Sequence, residues 1–294
     1  MNYYNEIKTE ILNNEITNRV KDYSKNKSDL TTYYNVGKLL SEAGKHYGEG
    51  IIKEYSDKLT KEFGKGYSQR NLRNMRQFYY VSTKWQTLSA ILSWSIYCEL
   101  IWFDNINKIN YYITICKEQS LSVRELRKRI KNKEYERLDE QTKLKLVNEE
   151  KLKLQDTIKN PIIIKNNTNY EVISEKVLQK MILEDIEEFM KELGNSFSFV
   201  GSEYPIKIGC NYNYIDLLLY NYEFNCFVVV ELKVTKLKKE HIGQIEVYMN
   251  YVDRNLRKIT QDKTIGIICR KDNKFIMEYC SDERIKVREY ELIK

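Results

Sequence analysis

The first half of the chain has the hydrophobic pattern of an all-helical domain. Apolar residues recur every three or four positions from Tyr3 to about Thr157, and no alternating stretch of useful length interrupts them. The 294 residues include 2 prolines and 11 glycines, and this scarcity of turn signals favours long helices. The pattern predicts helices at 3–24, 29–43, 51–63, 69–81, 87–103 and 106–118, and another from residue 123. Gly44 is expected to end the second helix.

The second half of the chain changes to a mixed pattern of helices and strands. Amphipathic helices are predicted over 174–193, before Gly194, and over 239–257. Strand-like runs are predicted at 197–200, 204–208, 214–220, 226–234, 264–269, 275–280 and 285–290. The sequence therefore predicts an α/β protein overall, in which an all-helical N-terminal domain precedes an α/β domain with a mixed central sheet.

A highly charged segment separates the two patterns. Residues 131–160 alternate in charge and carry a thin apolar stripe, which is typical of a solvated helix. Pro161 ends any such helix because its ring clashes with the preceding turn. We therefore expect a helical N-terminal domain over 1–135, a charged helical linker over 136–165, and a C-terminal domain over 166–294.

Composition narrows the class of protein. The chain carries 49 Lys and Arg against 42 Asp and Glu, and this net charge of +7 suits a nucleic-acid partner but decides little alone. Its six cysteines include no Cys-x-x-Cys pair and no zinc-ligand spacing. The first residues lack the apolar core of a signal peptide, and no uncharged stretch approaches the length of a membrane span. We therefore expect a cytoplasmic protein without a membrane partner.

Two acidic residues interrupt strands that are otherwise apolar. Asp216 lies between Ile215 and Leu217, and Glu231 follows five apolar residues. Residues two apart on a strand face the same way, so Glu231 and Lys233 project together. Because the connection between the two strands is short, we expect an antiparallel hairpin that brings Asp216 close to Glu231. Burying such charges is costly unless they are paired or hold a metal ion.

This group of side chains has a chemical use. Mg²⁺ prefers oxygen ligands and often takes one or two carboxylates together with substrate phosphate. A divalent cation assists phosphodiester hydrolysis, and a neighbouring ammonium stabilises the charge that develops. We therefore predict Asp216 and Glu231 as ligands of Mg²⁺, for which Mn²⁺ can substitute, and Lys233 as the electrostatic stabiliser. The alternative is an exposed Glu–Lys pair at a strand end, since Asp…Glu-x-Lys alone is a weak motif.

These motifs resemble a known group of proteins. The pattern Asp216…Glu231-Leu232-Lys233 resembles the PD-(D/E)xK nuclease superfamily, and Gln244-x-x-x-Tyr248 is similar to a motif of its RecB-like members. Longer segments in both halves resemble the YhcG-like family of bacterial proteins: 33–42, 66–79, 92–100, 121–130, 189–209, 214–221, 226–233 and 243–253. The resemblance implies a helical domain of unclear role fused to a metal-dependent nuclease domain with a restriction-endonuclease-like fold. It also suggests a setting in bacterial genome defence or mobile-element biology.

The helix that precedes the sheet departs from the family pattern. Where the family usually has Leu-Glu, this chain has Leu178-Gln179, so the helix has no acidic residue at the position where the family has one. Glu175 lies one turn earlier on the same face and is the predicted substitute. Glu184 and Asp185 are further options.

The segment after the Glu-x-Lys strand supplies more candidates. Gln244 is predicted to contact a metal-bound water or the phosphate, whereas Tyr248, one turn later, either contacts nucleic acid or packs on the sheet. Three lysines directly after the strand are predicted to bind phosphate: Lys236, Lys238 and Lys239. His46 and His241 are expected at the surface, because no supporting catalytic or zinc ligands accompany them.

A basic stripe marks the N-terminal domain. No Asp or Glu occurs from Gly64 to Cys98. Within this range three arginines lie three residues apart on one predicted helix: Arg70, Arg73 and Arg76. They are predicted to contact a nucleic-acid backbone. The alternative is that Leu72 and Met75 face a core while the arginines are solvated.

Together these features predict a Mg²⁺-dependent endonuclease that acts on DNA, with the N-terminal domain recruiting nucleic acid or a partner. A second hypothesis is a catalytically inactive, nuclease-like protein that binds nucleic acid or serves as a scaffold, which Gln179 motivates. The sequence leaves open whether two copies form a homodimer, whether the helical domain binds a protein partner, and whether the substrate is DNA or RNA.

Overall fold

The chain divides into two compact units, residues 1–135 and residues 136–294. The computed structural model describes residues 3–20, 25–48, 50–82, 92–194, 196–235, 237–271 and 282–293. For residues 16–20 and 25–28 it describes the backbone alone. The segment 136–165, for which the sequence predicts a charged linker, falls in the second unit. None of the described helices combines the length and apolar character needed to cross a membrane.

Helices make up the described part of the first unit. They are α1 (Tyr3–Val20), α2 (Lys25–Tyr47), α3 (Ile51–Phe63), α4 (Gln69–Ser82), α5 (Trp94–Leu100), α6 (Ile106–Gln119) and α7 (Val123–Lys131). Local capping explains where two of them begin. The Asn105 side chain accepts the first free N–H groups of α6, and Ser122 and Glu125 form a reciprocal capping box on α7.

Close packing of α2 against α4 organises the core of the first unit. A Cβ atom at Gly37 would lie 2.1 Å from the carbonyl oxygen of Met75, so the absence of a side chain lets the two helices touch. The expected helix end at Gly44 is wrong, because α2 continues through it to Tyr47. Gly48 instead adopts the left-handed conformation, with φ of 73°. The predicted helix 87–103 is shorter among the described residues, because the backbone is extended at Ser93 (φ −71°, ψ 154°) and the helix α5 ends at Leu100. Residues 83–91 lie outside the described residues.

The second unit is built on a mixed sheet. Its elements are α8 (Glu140–Val147), α9 (Leu154–Thr157), β1 (Ile162–Lys165), α10 (Glu175–Glu184), α11 (Ile186–Leu193), β2 (Phe197–Ile208), β3 (Asn211–Asn221), β4 (Cys226–Lys233), α12 (Lys239–Asn255), β5 (Ile265–Arg270) and β6 (Ile285–Ile293). The described strands lie in the order β1-β6-β5-β4-β3-β2. β2, β3 and β4 pair antiparallel, whereas β4, β5, β6 and β1 pair parallel. The predicted α/β fold with a mixed sheet is confirmed.

Helices cover both faces of the sheet. α10 and α11 pack on the face that carries Leu217, Val230 and Cys269. α12 packs on the opposite face, against Val229 and Ile268. A Cβ at Gly266 would lie 2.7 Å from Met249 Sδ, so this glycine gives α12 room to approach β5.

Three predicted elements of the second unit differ in the structure. The helix predicted over 174–193 is two helices, because the backbone breaks at Asp185 (φ −139°, ψ 49°). The strands predicted at 197–200 and 204–208 form one strand, β2, with a register shift between Phe199 and Gly201. Residues 162–165 form a strand because they pair with β6, and the predicted strand 275–280 lies outside the described residues.

Candidate active site

The β3–β4 hairpin brings two carboxylates to one end of the sheet. Its register pairs Leu217 with Val230, so the next position along places Asp216 opposite Glu231. Beyond this point β3 continues beside β2 as far as Asn211, while its pairing with β4 ends. Asp216 Oδ2 accepts the backbone N–H of Leu232 at 2.8 Å. The Asp216 side chain therefore takes the place of a backbone acceptor where the two strands separate.

Glu231 and Lys233 project together from β4. Lys233 Nζ donates to Glu231 Oε2 at 3.3 Å, and the two residues are 8% and 2% exposed, respectively. The second carboxylate oxygen, Glu231 Oε1, is buried and has no hydrogen-bond partner within the described chain. The structure thus brings Asp216, Glu231 and Lys233 together. Lys233 provides a hydrogen bond to one of the two carboxylate oxygens of Glu231, and the other oxygen needs a further partner.

Burial sets the electrostatics of this group. Loss of solvation, followed by the negative charge of Asp216, raises the pKa of Glu231 to about 8, although Lys233 opposes the shift. Burial also raises the pKa of Asp216, against the lowering effects of the Leu232 N–H and of Lys233. For Lys233, burial lowers the pKa, but the surrounding carboxylates outweigh it and raise the pKa overall. Burial and the neighbouring carboxylate therefore favour the protonated form of Glu231, whereas Lys233 remains charged.

Helix α10 contributes two side chains to the site. Ser174 caps the helix by accepting the N–H of Val177, which fixes its first turn beside β4. Glu175 Oε2 in that turn lies 3.7 Å from Lys233 Nζ. One turn later, Gln179 Nε2 donates to the backbone carbonyl of Asp216 at 2.9 Å. In the sequence, Gln179 departs from the family pattern. In the structure, its side chain anchors the Asp216 backbone to α10.

The other acidic options on this segment lie elsewhere. Glu184 accepts hydrogen bonds from Thr168 and Tyr170, and Asp185 forms an ion pair with Lys165 at 3.1 Å. Both carboxylates are thus held by local partners. Of the three candidates, Glu175 is the one that the structure places beside Lys233.

Helix α12 presents Gln244, Tyr248 and His241. Gln244 Nε2 donates to the Tyr248 hydroxyl at 2.8 Å. Tyr248 is 4% exposed and belongs to the core between α12 and the sheet, so its burial favours packing over the predicted contact with nucleic acid. His241 Nδ1 accepts the N–H of Lys238, and burial, followed by the charge of Lys233, lowers the pKa of His241. The expected surface histidine is half-buried and close to the site.

The carboxylates fit a divalent cation. Within the described ranges, no group of three or more His, Cys, Asp or Glu side chains forms a complete set of metal ligands. Two carboxylates are nevertheless enough for Mg²⁺, which usually completes its shell with water and phosphate oxygens. The observation that supports such a ligand is that Glu231 Oε1, which has no partner among the described residues, lies opposite the half-buried carboxylate of Asp216.

Comparisons with known proteins identify both halves of the chain. Residues 155–293 match the YhcG PDDEXK nuclease domain, and residues 6–137 match the DUF1016 N-terminal domain. The chain belongs to the YhcG-like family. It is 27% identical to the protein described as "Putative nuclease YhcG" of Escherichia coli (strain K12), over 81% of this chain and 75% of that protein. The chain therefore carries a nuclease domain of the PDDEXK type, as the resemblance implied.

Two solved structures are similar to part of the YhcG-like chain. One is a repair endonuclease from Pyrococcus abyssi, with 20% identity, 41% of this chain covered and a TM-score of 0.31. The other is the complex of EndoMS with dsDNA2, with 19% identity, 43% of this chain covered and a TM-score of 0.27. The chain spans 48% of the length of each.

The predicted basic residues occupy different settings. Lys238 and Lys239 are exposed at the start of α12, and Lys236 lies outside the described residues. In the first unit, Arg70 and Arg73 are exposed, whereas Arg76 is half-buried. Leu72 and Met75 of the same helix lie in the core of the first unit, as the alternative predicted. Contact of the arginines with nucleic acid stays a prediction.

Proposed function

We propose that this chain is a Mg²⁺-dependent endonuclease that hydrolyses phosphodiester bonds in DNA. The observation that carries the proposal is the buried Glu231 opposite the half-buried Asp216: Lys233 donates to one oxygen of Glu231, and the other oxygen has no partner among the described residues. Membership in a family with a PDDEXK nuclease domain supports the reaction class.

Each side chain has a role that follows from its contacts. Asp216 and Glu231 would hold the divalent cation, which when bound supplies charge neutralisation and activation of water. Lys233 stays protonated, because its pKa is raised, and offers a positive charge to the phosphate. Glu175 and Gln179 position Lys233 and the Asp216 backbone from the same helix. Gln244 is held against Tyr248 and can turn its remaining amide oxygen towards a water or a phosphate ligand.

The helical domain would recruit the substrate. An acid-free stretch from Gly64 to Cys98 includes the exposed Arg70 and Arg73, which suit contacts with phosphate. Replacing both with glutamine should weaken DNA binding and reduce the slope of log K against log salt by about two, compared with Lys53→Gln as an exposed control on α3. An unchanged slope would leave the substrate contact to the nuclease domain alone.

The test of the proposed function is a cleavage assay with the full chain. Plasmid, linear duplex, single-stranded DNA and RNA are incubated with Mg²⁺ and with EDTA. Wild type is compared with Glu231→Ala and Lys233→Ala, and Glu291→Ala serves as a control because Glu291 is an exposed glutamate of β6. The proposal predicts Mg²⁺-dependent cleavage of DNA by wild type and the control, and none by the other two variants. Equal products from all four proteins would remove it.

A catalytically inactive module that binds nucleic acid is the second candidate. It is favoured by Gln179, an amide where the family has an acid, since an amide carries no charge for a metal ion. Calorimetry with Mn²⁺ and Ca²⁺ separates the two functions, because an inactive site need not bind either ion.

A further inference from the structure

Arg270 lies beside the candidate active site on the next strand. It is the last residue of β5, and Lys233 is the last residue of β4. The register of the two parallel strands pairs Lys233 directly with Arg270. Paired residues of neighbouring strands are about 5 Å apart and project from the same face of the sheet. Arg270 therefore extends from the face that carries Glu231 and Lys233, one strand further from Asp216.

Two nitrogens of the Arg270 guanidinium are buried and have no partner among the residues that the structure describes. The residue is 3% exposed, and its Nε and Nη1 atoms have no hydrogen-bond partner within the described chain. The neighbour of Arg270 on β6 is Glu289, yet among the described residues no ion pair joins them. A buried guanidinium that lacks an acceptor is unfavourable, because it has lost its hydration and gained nothing in return. This arrangement is expected where an external anion completes the set of contacts.

The position of Arg270 indicates which kind of anion it would bind. Open sheets with parallel strands bind ligands at the carboxyl ends of the strands. Lys233 and Arg270 both lie at these ends. A guanidinium is planar and donates in fixed directions that match two oxygens of a phosphate or a carboxylate. Lys233 is a second cation directly beside Arg270, and two adjacent cations complement the phosphates of an approaching nucleic acid.

We infer that Arg270 binds a backbone phosphate of the nucleic acid next to the phosphate held at Asp216, Glu231 and Lys233. The inference rests on the proposed function for the identity of the substrate. Arg270 is a binding and positioning residue: its phosphate fixes the register of the nucleic-acid strand over the site, while Lys233 faces the scissile group.

The test compares Arg270→Gln and Arg270→Lys with Arg254→Gln, which removes an exposed arginine from α12. Binding of a fluorescein-labelled DNA 20-mer is measured in Ca²⁺ at several salt concentrations, and KM and kcat are measured in Mg²⁺. Arg270→Gln should weaken binding about tenfold or more and lower the salt slope by about one, the loss of a single phosphate contact. KM should rise by a similar factor. Arg270→Lys should restore the salt slope but recover the affinity in part, because an ammonium lacks the planar geometry.

Each result decides between the possibilities. Thermal melting checks folding, and if Arg270→Gln is unfolded at the assay temperature, Arg270→Lys alone carries the test through its affinity. Wild-type affinity, salt slope and KM in the folded Arg270 variants would overturn the inference while leaving the proposed function intact. Conversely, a wild type that cleaves nothing would refute the proposed function, and a lowered salt slope in Arg270→Gln would still support the phosphate contact.

Discussion

The second unit contains two groups of buried charges, and they differ in how completely they are satisfied. Arg288 is 1% exposed, yet its Nε donates to the Ile158 carbonyl at 3.0 Å and its Nη2 to Asp139 at 2.6 Å. Arg137 likewise donates to Glu192 and to the Pro161 carbonyl. At the carboxyl ends of β4 and β5, by contrast, Glu231 Oε1 and two nitrogens of Arg270 have no partner in the described part of the chain.

This contrast shows what distinguishes a functional group of charges from a structural one. Burial is similar in both groups, so burial alone does not identify a site. Where every donor and acceptor is paired, the contacts offset the loss of hydration and the charges hold the fold together. Where buried polar atoms remain unpaired, they destabilise the folded state, and a bound ligand can supply the missing contacts. Changes in the first group should therefore affect stability, and changes in the second should affect activity.

The largest effect is expected from Asp216→Asn. The amide can still accept the Leu232 N–H but lacks the charge that holds a cation, so kcat should fall by about 10³-fold or more. The melting temperature should not fall, because the substitution removes a negative charge that disfavours ionisation of the buried Glu231. Cleavage assays paired with thermal melts check both halves of this expectation. Retained cleavage would show that Asp216 is not part of the reaction.

A smaller effect is expected from Arg288→Met, and it concerns the free energy of unfolding rather than kcat. Removing the buried guanidinium breaks its hydrogen bonds to the Ile158 carbonyl and to Asp139, whose side chain is 38% exposed, and should reduce the free energy of unfolding by about 2 kcal/mol, measured by urea titration. Activity per folded molecule should be unchanged. Arg284→Met is the matched control, since the Arg284 side chain is 24% exposed against 1% for Arg288, and its pairs with Asp282 and Asp253 should contribute about 1 kcal/mol or less. Equal losses in the two variants would break the comparison.

Gln179→Leu should have an intermediate effect on activity. The side chain keeps its packing but loses the hydrogen bond to the Asp216 carbonyl, so kcat should fall about 10- to 100-fold, as for other residues that orient a ligand. Substrate affinity in Ca²⁺ should remain at the wild-type level. A variant with unchanged kcat would show that α10 does not position Asp216.

The smallest effect is a dependence of stability on pH. The pKa of Glu231 is raised from its ordinary value of 4.5 to about 8, so the folded state prefers the protonated carboxyl. The stabilisation is complete below pH 4.5 and is lost as the pH rises through about 8. In EDTA, the melting temperature of wild type should therefore fall between these pH values by about 3 °C or more relative to Glu231→Gln. Saturating Mg²⁺ should abolish the difference, and parallel curves in EDTA would contradict it.

Features that depend on local sequence were predictable. The bounds of α3, Ile51–Phe63, coincide with the predicted helix because apolar spacing and the following Gly64 define it locally. The approach of Asp216 to Glu231 follows from two strands joined by a short turn, which needs no knowledge of the rest of the chain. The two-residue period of a strand also indicates which side chains of β4 share a face.

Features that depend on distant contacts were not predictable. Gln179 meets Asp216 across 37 positions of sequence, so its amide looked like the loss of a carboxylate rather than a new contact. Residues 162–165 become a strand through pairing with β6, and the charged segment around them gives no strand signal. Arg270 resembles an ordinary basic residue at a strand end until the register places it beside Lys233 and its burial is known.

The most direct test of the central claim is calorimetric titration of the full chain with Mn²⁺ at pH 7, repeated in buffers of different ionisation enthalpy. Because the pKa of Glu231 is about 8, the carboxyl is largely protonated at this pH, and binding should release close to one proton. Asp216→Asn and Glu231→Gln should each abolish this binding. Binding of equal strength in wild type and both variants, or no binding to wild type, would contradict a divalent cation held between these two carboxylates.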